Sequence, residues 1–330
     1  MIFSEEKWSD ADEMRPYVPV SNALTFRTVQ TAIQNAFGLF IRPLVGDKIV
    51  TKLQEIYDSV SDISEIKEDT DSKDIKLLYF AQRANAFLSF WYDYDEMQVL
   101  IADSGVKRQE SENVKMPYKY QELSLKNGFK QKGFDALDNL IAFLEQNLTD
   151  YPDYKESDNY TQTLDSIVRN AKEVNAYHEI NSSRLVYLRL KPNIRIIEDT
   201  LIAPRIGYSL FEKLKIALKE ETPEEKYTTL REKLLPVVVL YAVQKLILET
   251  GSLTDRGLFF SSLKGNEGSY ESHDPVSDNR IVYQANKAEA DAISYWILAD
   301  RYLKSEFGID SSKGNKIPHR DNTDKKSFWV

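Results

Sequence analysis

Apolar residues recur at helical spacing through most of this chain, and the runs come in the same order twice. Thr25–Phe40 carries Val29, Ile33, Phe37 and Phe40 three or four residues apart, one helix face turned to a core. Ile49, Leu53, Ile56 and Val60 repeat the pattern after a short break. Leu77–Tyr92 is apolar nearly all round, with Gln82, Asn85 and Ser89 on one narrow strip, which predicts a central buried helix. Leu234–Leu248 is its counterpart, with Pro236 expected in the first turn, where a missing N–H is tolerated. Phe134, Leu137, Ile141 and Leu144 predict a helix over Phe129–Leu148. Ile293, Trp296, Ile297 and Leu303 predict a last helix over 282–303. Asp58–Asp74 is acidic and serine-rich, a solvated loop or a helix end. Met97–Ala102 reads as a short strand or an extended lead-in, and residues 106–120 as a charged loop.

The break after the first run is Ile41-Arg-Pro43-Leu-Val-Gly46, and it returns as Ile202-Ala-Pro204-Arg-Ile-Gly207, 161 residues later. A helix is expected to stop ahead of each Pro, whose ring disfavours the α region at Arg42 and Ala203. Gly46 and Gly207 permit a backbone angle that a β-carbon penalises. The flanks share the offset: Ser21 with Ser182, Leu24 with Leu185, Ile33 with Ile194, Lys52 with Lys213 and Leu53 with Leu214. With the corner, that gives 8 identities across the 33 positions Ser21–Leu53. An offset of 162 then aligns Leu78-Tyr79 with Leu240-Tyr241, and one of 152 aligns Asp103-Ser-Gly105 with Asp255-Arg-Gly257.

These patterns predict an all-α chain of two tandem duplicated helical domains, with extended loops and terminal arms. The expected boundaries are an N-terminal arm at 1–16, a first copy at 17–150 and a linker at 151–176. The second copy spans 177–308 and a C-terminal tail 309–330. The linker is expected to end in a helix bearing Leu164, Ile167, Val168 and Val174. The largest difference between the copies is Phe259–Arg280, rich in Ser, Gly and Asp.

Composition narrows the chemistry. The chain has no Cys, which removes disulfides, thiolate nucleophiles and cysteine-bound metals. A net charge of -9 gives no broad electrostatic footprint for nucleic-acid phosphates, so no sequence-specific nucleic acid is expected. The N-terminus lacks the basic start and apolar core of a signal peptide, and no apolar run reaches about 20 residues, so a soluble chain without a membrane span is expected.

No catalytic constellation emerges. His178, His273 and His319 are isolated, each read in a loop or linker, and none belongs to a paired ligand set. Asp103/Gly105 and Asp255/Gly257 are read as turns, in which Asp bonds nearby amides and Gly takes the positive angle. The rival reading makes Asp103 and Asp255 carboxylates for a divalent metal. No catalytic residue, cofactor or metal ligand is assigned. Two apolar features stand at expected surfaces, Phe259-Phe260 and Phe328-Trp329-Val330. They either fold back on their own domain or contact a partner.

The corner Ile41-x-Pro-x-x-Gly46, Asp103-Ser-Gly-Val-x-Arg108, Gly133-Phe-x-Ala-Leu-Asp138-x-Leu140 and Ser182-Ser-Arg-x-Val186 together resemble an uncharacterised family encoded by phages and prophages of gut Bacteroidetes. Its helical, corner-turned units look like the all-α head–tail connectors of tailed phages, which form rings beneath the portal. The resemblance implies a virion protein assembled in the host bacterial cytoplasm. Such a protein is an adaptor that contacts phage portal and tail proteins and forms a homo-oligomer, without catalysis. An acidic ring lumen would repel passing DNA. The alternatives are a tail-completion or scaffold component, or the metal-dependent enzyme.

Overall fold

The computed structural model describes residues 1–97, 99–102, 105–108, 118–180, 182–220, 222–250, 259–264, 270–275 and 278–309. In it, α1 (Phe26–Ala36) runs directly into a π-helical turn (Phe37–Ile41) and a short α2 (Arg42–Val45). After the single residue Gly46 comes α3 (Asp47–Ser59), then α4 (Lys73–Tyr92). β1 (Val99–Ala102) and β2 (Gly105–Arg108) pair antiparallel, Val99 opposite Arg108. α5 (Lys119–Gln146) begins ten residues ahead of the expected helix, because Tyr118 caps it, with Gln121 accepting from the Tyr118 N–H at 3.1 Å. α6 (Asp158–Leu164) and α7 (Ala171–Asn175) follow.

The succession then recurs. It runs through α8 (Arg184–Ile197), a π-helical turn (Glu198–Ile202), α9 (Ala203–Ile206), α10 (Tyr208–Ala217) and α11 (Glu225–Thr250). A second two-stranded sheet of β3 (Phe259–Lys264) and β4 (Tyr270–Pro275) precedes α12 (Asp278–Phe307). The fold is all-α, with two short two-stranded sheets among the described residues. Phe259–Arg280, expected as the place where the halves differ most, therefore holds strands where the first half also holds strands.

The corners depart from expectation in a specific way. The helix does not stop ahead of Pro: Arg42 has φ -52° and ψ -45°, and Ala203 has φ -55° and ψ -46°. The Pro ring clashes with the carbonyl four residues back, here Leu39 or Thr200. Both lie in a π-helical turn, whose wider ladder makes room for the ring. The break comes instead at Gly46 (φ 83°, ψ 159°) and Gly207 (φ 87°, ψ 131°), a region open almost only to glycine. A β-carbon at Gly207 would meet nothing within 4 Å, whereas one at Gly46 would lie 3.2 Å from Ser157 Cβ. Gly207→Ala thus isolates the backbone cost, expected at about 1–3 kcal/mol. Gly46→Ala should cost more, and urea denaturation of the two variants measures the difference.

Two compact units divide the chain. Unit 1 is Met1–Thr163 with Ser183–Leu185 and Leu263–Tyr270, and unit 2 is Leu164–Ser182, Val186–Ser262 and Glu271–Val330. In unit 1, α4 is buried along nearly its whole length, as its sequence predicts. Its polar strip explains why residues 1–16 are not an arm. Gln82 donates from Nε2 to the Ile2 carbonyl at 2.6 Å and accepts from the Tyr17 hydroxyl at 3.0 Å. Ile2, Phe3, Trp8, Ala11 and Met14 are buried with it. The buried amide needs partners, and the N-terminal segment supplies them.

The segment is fixed a second time at α3. The Tyr57 hydroxyl donates to Glu13 Oε1 at 2.7 Å and lies 3.0 Å from Ser4 Oγ, while the Ser4 N–H donates to Glu13 Oε2 at 3.3 Å. Lys7 Nζ donates to the carbonyls at the end of α3, reaching Val60 at 2.7 Å, and stands 4.3 Å above the Tyr57 ring. Burial pushes the Glu13 carboxyl up to about 7, against the opposing pull of the Tyr57 and Ser4 hydrogen bonds.

Residues 151–176 are likewise packed and do not form a free linker. Tyr151 and Tyr154 are buried in unit 1, and Ile167, Val168, Ala171 and Val174 belong to the core of unit 2. The expected single helix is instead α6 and α7, with Ile167 and Val168 in the turn between them. That turn is held by Glu198, whose Oε1 accepts from Ser166 Oγ at 2.8 Å and from the Ile167 N–H at 2.7 Å.

In unit 2, α11 begins at Glu225, so Pro236 is well inside the helix and not in its first turn. It forfeits one ladder bond, yet Leu234, Leu235 and Val237–Val243 are all buried around it, and that burial keeps the helix continuous. No helix among the described residues is long and apolar enough to cross a membrane.

Candidate interaction surface

α12 packs on α11 through small residues. Ala285, Ala288, Ala292 and Ala299 are buried along one side and finish on buried Leu303. Alanine lets two helices approach closely, so this stripe is the inner face although it lacks bulk. Ile293 and Ile297, two of the apolar residues that predicted this helix, point away from that face and are 47% and 49% exposed. Tyr283, Asn286, Ala290, Ile293 and Ile297 are spaced three and four residues apart, and each is exposed. That is the seam spacing of a helix that pairs with another helix. α12 therefore carries an apolar stripe on each of two opposite sides, only one of which the described residues of unit 2 cover. The readable signal was the Ala stripe, a 3-4 repeat of small residues opposite the Ile positions.

Other surfaces offer less. In unit 1, the first turns of α5 expose Tyr118, Tyr120, Leu123 and Leu125, and the rings of Tyr118 and Tyr120 stack at 5.8 Å. A shallow groove of about 430 Å³ beside them is lined by Ser124, Gly128, Phe129 and Lys132. In unit 2, a cleft of about 420 Å³ has Leu240, Ile247 and Ala288 as its apolar floor, with His178, Lys287 and Asp291 around it. Burial, aided by the Lys287 charge, holds the His178 imidazole below its ordinary pKa, so it is neutral at pH 7. Among the described residues, no three His, Asp or Glu side chains gather where a metal ion would sit.

The residues singled out from sequence are dispersed. Pro43 and Pro204 sit near the starts of α2 and α9, and Gly46 and Gly207 are the breaks after them. Gly105 opens β2, and Phe259 and Phe260 open β3. His273, expected in a loop, is in β4. Asp103, Asp255, Gly257, His319, Phe328, Trp329 and Val330 lie outside the described residues. The two family-like stretches around Asp138 and Arg184 do meet within unit 1, where Arg184 Nη1 donates to Asp138 Oδ1 at 2.7 Å.

Neither the curated proteins nor the solved structures contain a match to this chain. One family profile matches residues 41–163 and again residues 202–309, each segment opening on the Ile of a corner. The chain belongs to DUF6712, a family of unknown function.

Proposed function

We propose that the chain is a structural assembly protein of a tailed-phage virion, an adaptor of the head–tail connector. In this reading it binds the portal and further copies of itself by surface complementarity and performs no reaction. One observation carries the assembly part: the outer apolar stripe of α12, with Ile293 and Ile297 open to solvent. Completing the burial of these two half-exposed side chains contributes roughly 1.5–3 kcal/mol, a reason for the stripe to be covered in an assembly. The phage part rests on the resemblance of the corner, Asp103–Arg108, Gly133–Leu140 and Ser182–Val186 stretches. We read the repeated succession of elements as a tandem duplication, supported by the two profile matches.

Electron microscopy of the purified chain mixed with a tailed-phage portal protein from the same genome tests this reading. Added density beneath the portal, lost with Ile293→Glu, is the expected result. A chain that stays monomeric and leaves the portal bare overturns it. Density on a free tail tube or inside an immature head would favour a tail-completion or scaffold role instead.

A further inference from the structure

The two long helices share a register that separates what is covered from what is open. At an offset of 152, Gly133, Ala136 and Leu140 of α5 fall on Ala285, Ala288 and Ala292 of α12, and all six are buried. The same offset sets Asp138 against Ala290, Ile141 against Ile293 and Glu145 against Ile297. Here the cover differs: Ile141 is buried, whereas Ala290, Ile293 and Ile297 are exposed.

Part of the cover on this side of α5 is known. Ser183–Leu185, from further along the chain, groups with unit 1, and the buried Arg184 bonds Asp138 there. At the repeat offset of 161, Ser182–Val186 is the counterpart of Ser21–Thr25. In that counterpart Ser21, Asn22, Ala23 and Thr25 are exposed. The chain therefore shows this pairing of surfaces once in covered form, and it exposes a second copy of each surface.

The chemistry at the two positions has changed together. The counterpart of Arg184 is Ala23, and the counterpart of Asp138 is Ala290. Joining the two open surfaces thus sets Ala against Ala, with no charge stranded at these two positions. Had only one of the two been replaced, the same contact would strand a buried guanidinium or carboxylate.

We propose that the open side of α12 in one molecule receives the Ser21–Thr25 segment of a second copy, with Ala23 beside Ala290 where Arg184 meets Asp138 in unit 1. This rests on the assembly reading above and identifies its self-contact. Because the contact uses different surfaces of the two molecules, it propagates head to tail, closing into a ring where the rotation permits.

The natural absence of Cys makes the test direct. Full-length Ala23→Cys and Ala290→Cys variants are mixed and treated with a short bismaleimide. The expected result is a dimer-sized product in the mixture that neither variant gives alone. A chain carrying both substitutions should give a ladder. Adding Ile297→Lys to the Ala290→Cys variant should cut the product at least tenfold. Product from Ala290→Cys alone would mean α12 pairs with α12, and no product in the mixture would mean no such contact; each overturns the proposal. If the chain nevertheless assembles by sedimentation, the assembly reading survives this failure, whereas a strictly monomeric chain overturns both.

Discussion

Between pH 4.5 and pH 7, Glu13→Gln is expected to gain roughly 3 kcal/mol of stability relative to the natural chain. The carboxyl of Glu13, 1% exposed, has its pKa raised from 4.5 to about 7 by burial. In the unfolded chain it ionises above about pH 4.5, while in the folded chain it holds its proton until about 7. Across that window the folded state binds more protons than the unfolded state. The stability contributed by protonated Glu13 is fully present below pH 4.5 and is lost as the pH rises through about 7. The amide that replaces the carboxyl does not titrate, so any constant cost of placing it beside Tyr57 and Ser4 drops out of the pH dependence. His178 acts in the opposite sense, because its depressed pKa favours folding as the pH rises towards its unfolded value. It is common to both proteins and cancels in the difference. Urea denaturation of the pair at pH 4.5, 6 and 8 reads the effect. A difference that stays flat with pH would mean the Glu13 site is not desolvated.

The same substitution at two glycines of α5 is expected to have opposite signs. A β-carbon on Gly133 would lie 2.7 Å from Leu88 Cδ2 and 2.8 Å from its Cγ. Leu88 is fully buried, so it has nowhere to turn. Gly133→Ala gains about 1 kcal/mol of helix propensity but should lose about 1–3 kcal/mol to overpacking against α4. A β-carbon on Gly128, five residues earlier on the same helix, meets nothing within 4 Å. Gly128→Ala should therefore stabilise by up to about 1 kcal/mol. Thermal denaturation of the two variants decides this. If both stabilise, α4 and α5 are not in the close contact that Gly133 implies.

Much of the fold was legible in spacing. The stripe Ile49, Leu53, Ile56 and Val60 is buried throughout, and the all-round apolar character of Leu77–Tyr92 marked the centre of unit 1. What escaped was structure made by tertiary partners. Residues 1–16 look polar, but their use is to satisfy Gln82 and to surround Glu13. The π-helical turns ahead of Pro43 and Pro204 leave no periodicity of their own, and local rules for X-Pro predict a stop there. Pro236 looked like a helix start because the continuous apolar run begins only at Leu234, yet α11 already begins at Glu225.

Which side of α12 stays open was not legible for a related reason. Ile293, Trp296, Ile297 and Leu303 marked the helix without marking its covered side, and the inner face of α12 is an Ala stripe that close helix packing selects. A helix with small residues on one side and large apolar ones opposite is satisfied by its own unit on the first side only. In α5 the position of Ile293 corresponds to Ile141, which is buried.

The central claim is that the outer side of α12 is a contact surface, and sedimentation velocity of the intact chain over a broad concentration range tests it most directly. The account predicts concentration-dependent assembly that collapses to monomer with Ile297→Lys while the helical circular-dichroism signal is unchanged. A natural chain that sediments as a monomer at every concentration, or an Ile297→Lys variant that assembles as well as the natural chain, would contradict it.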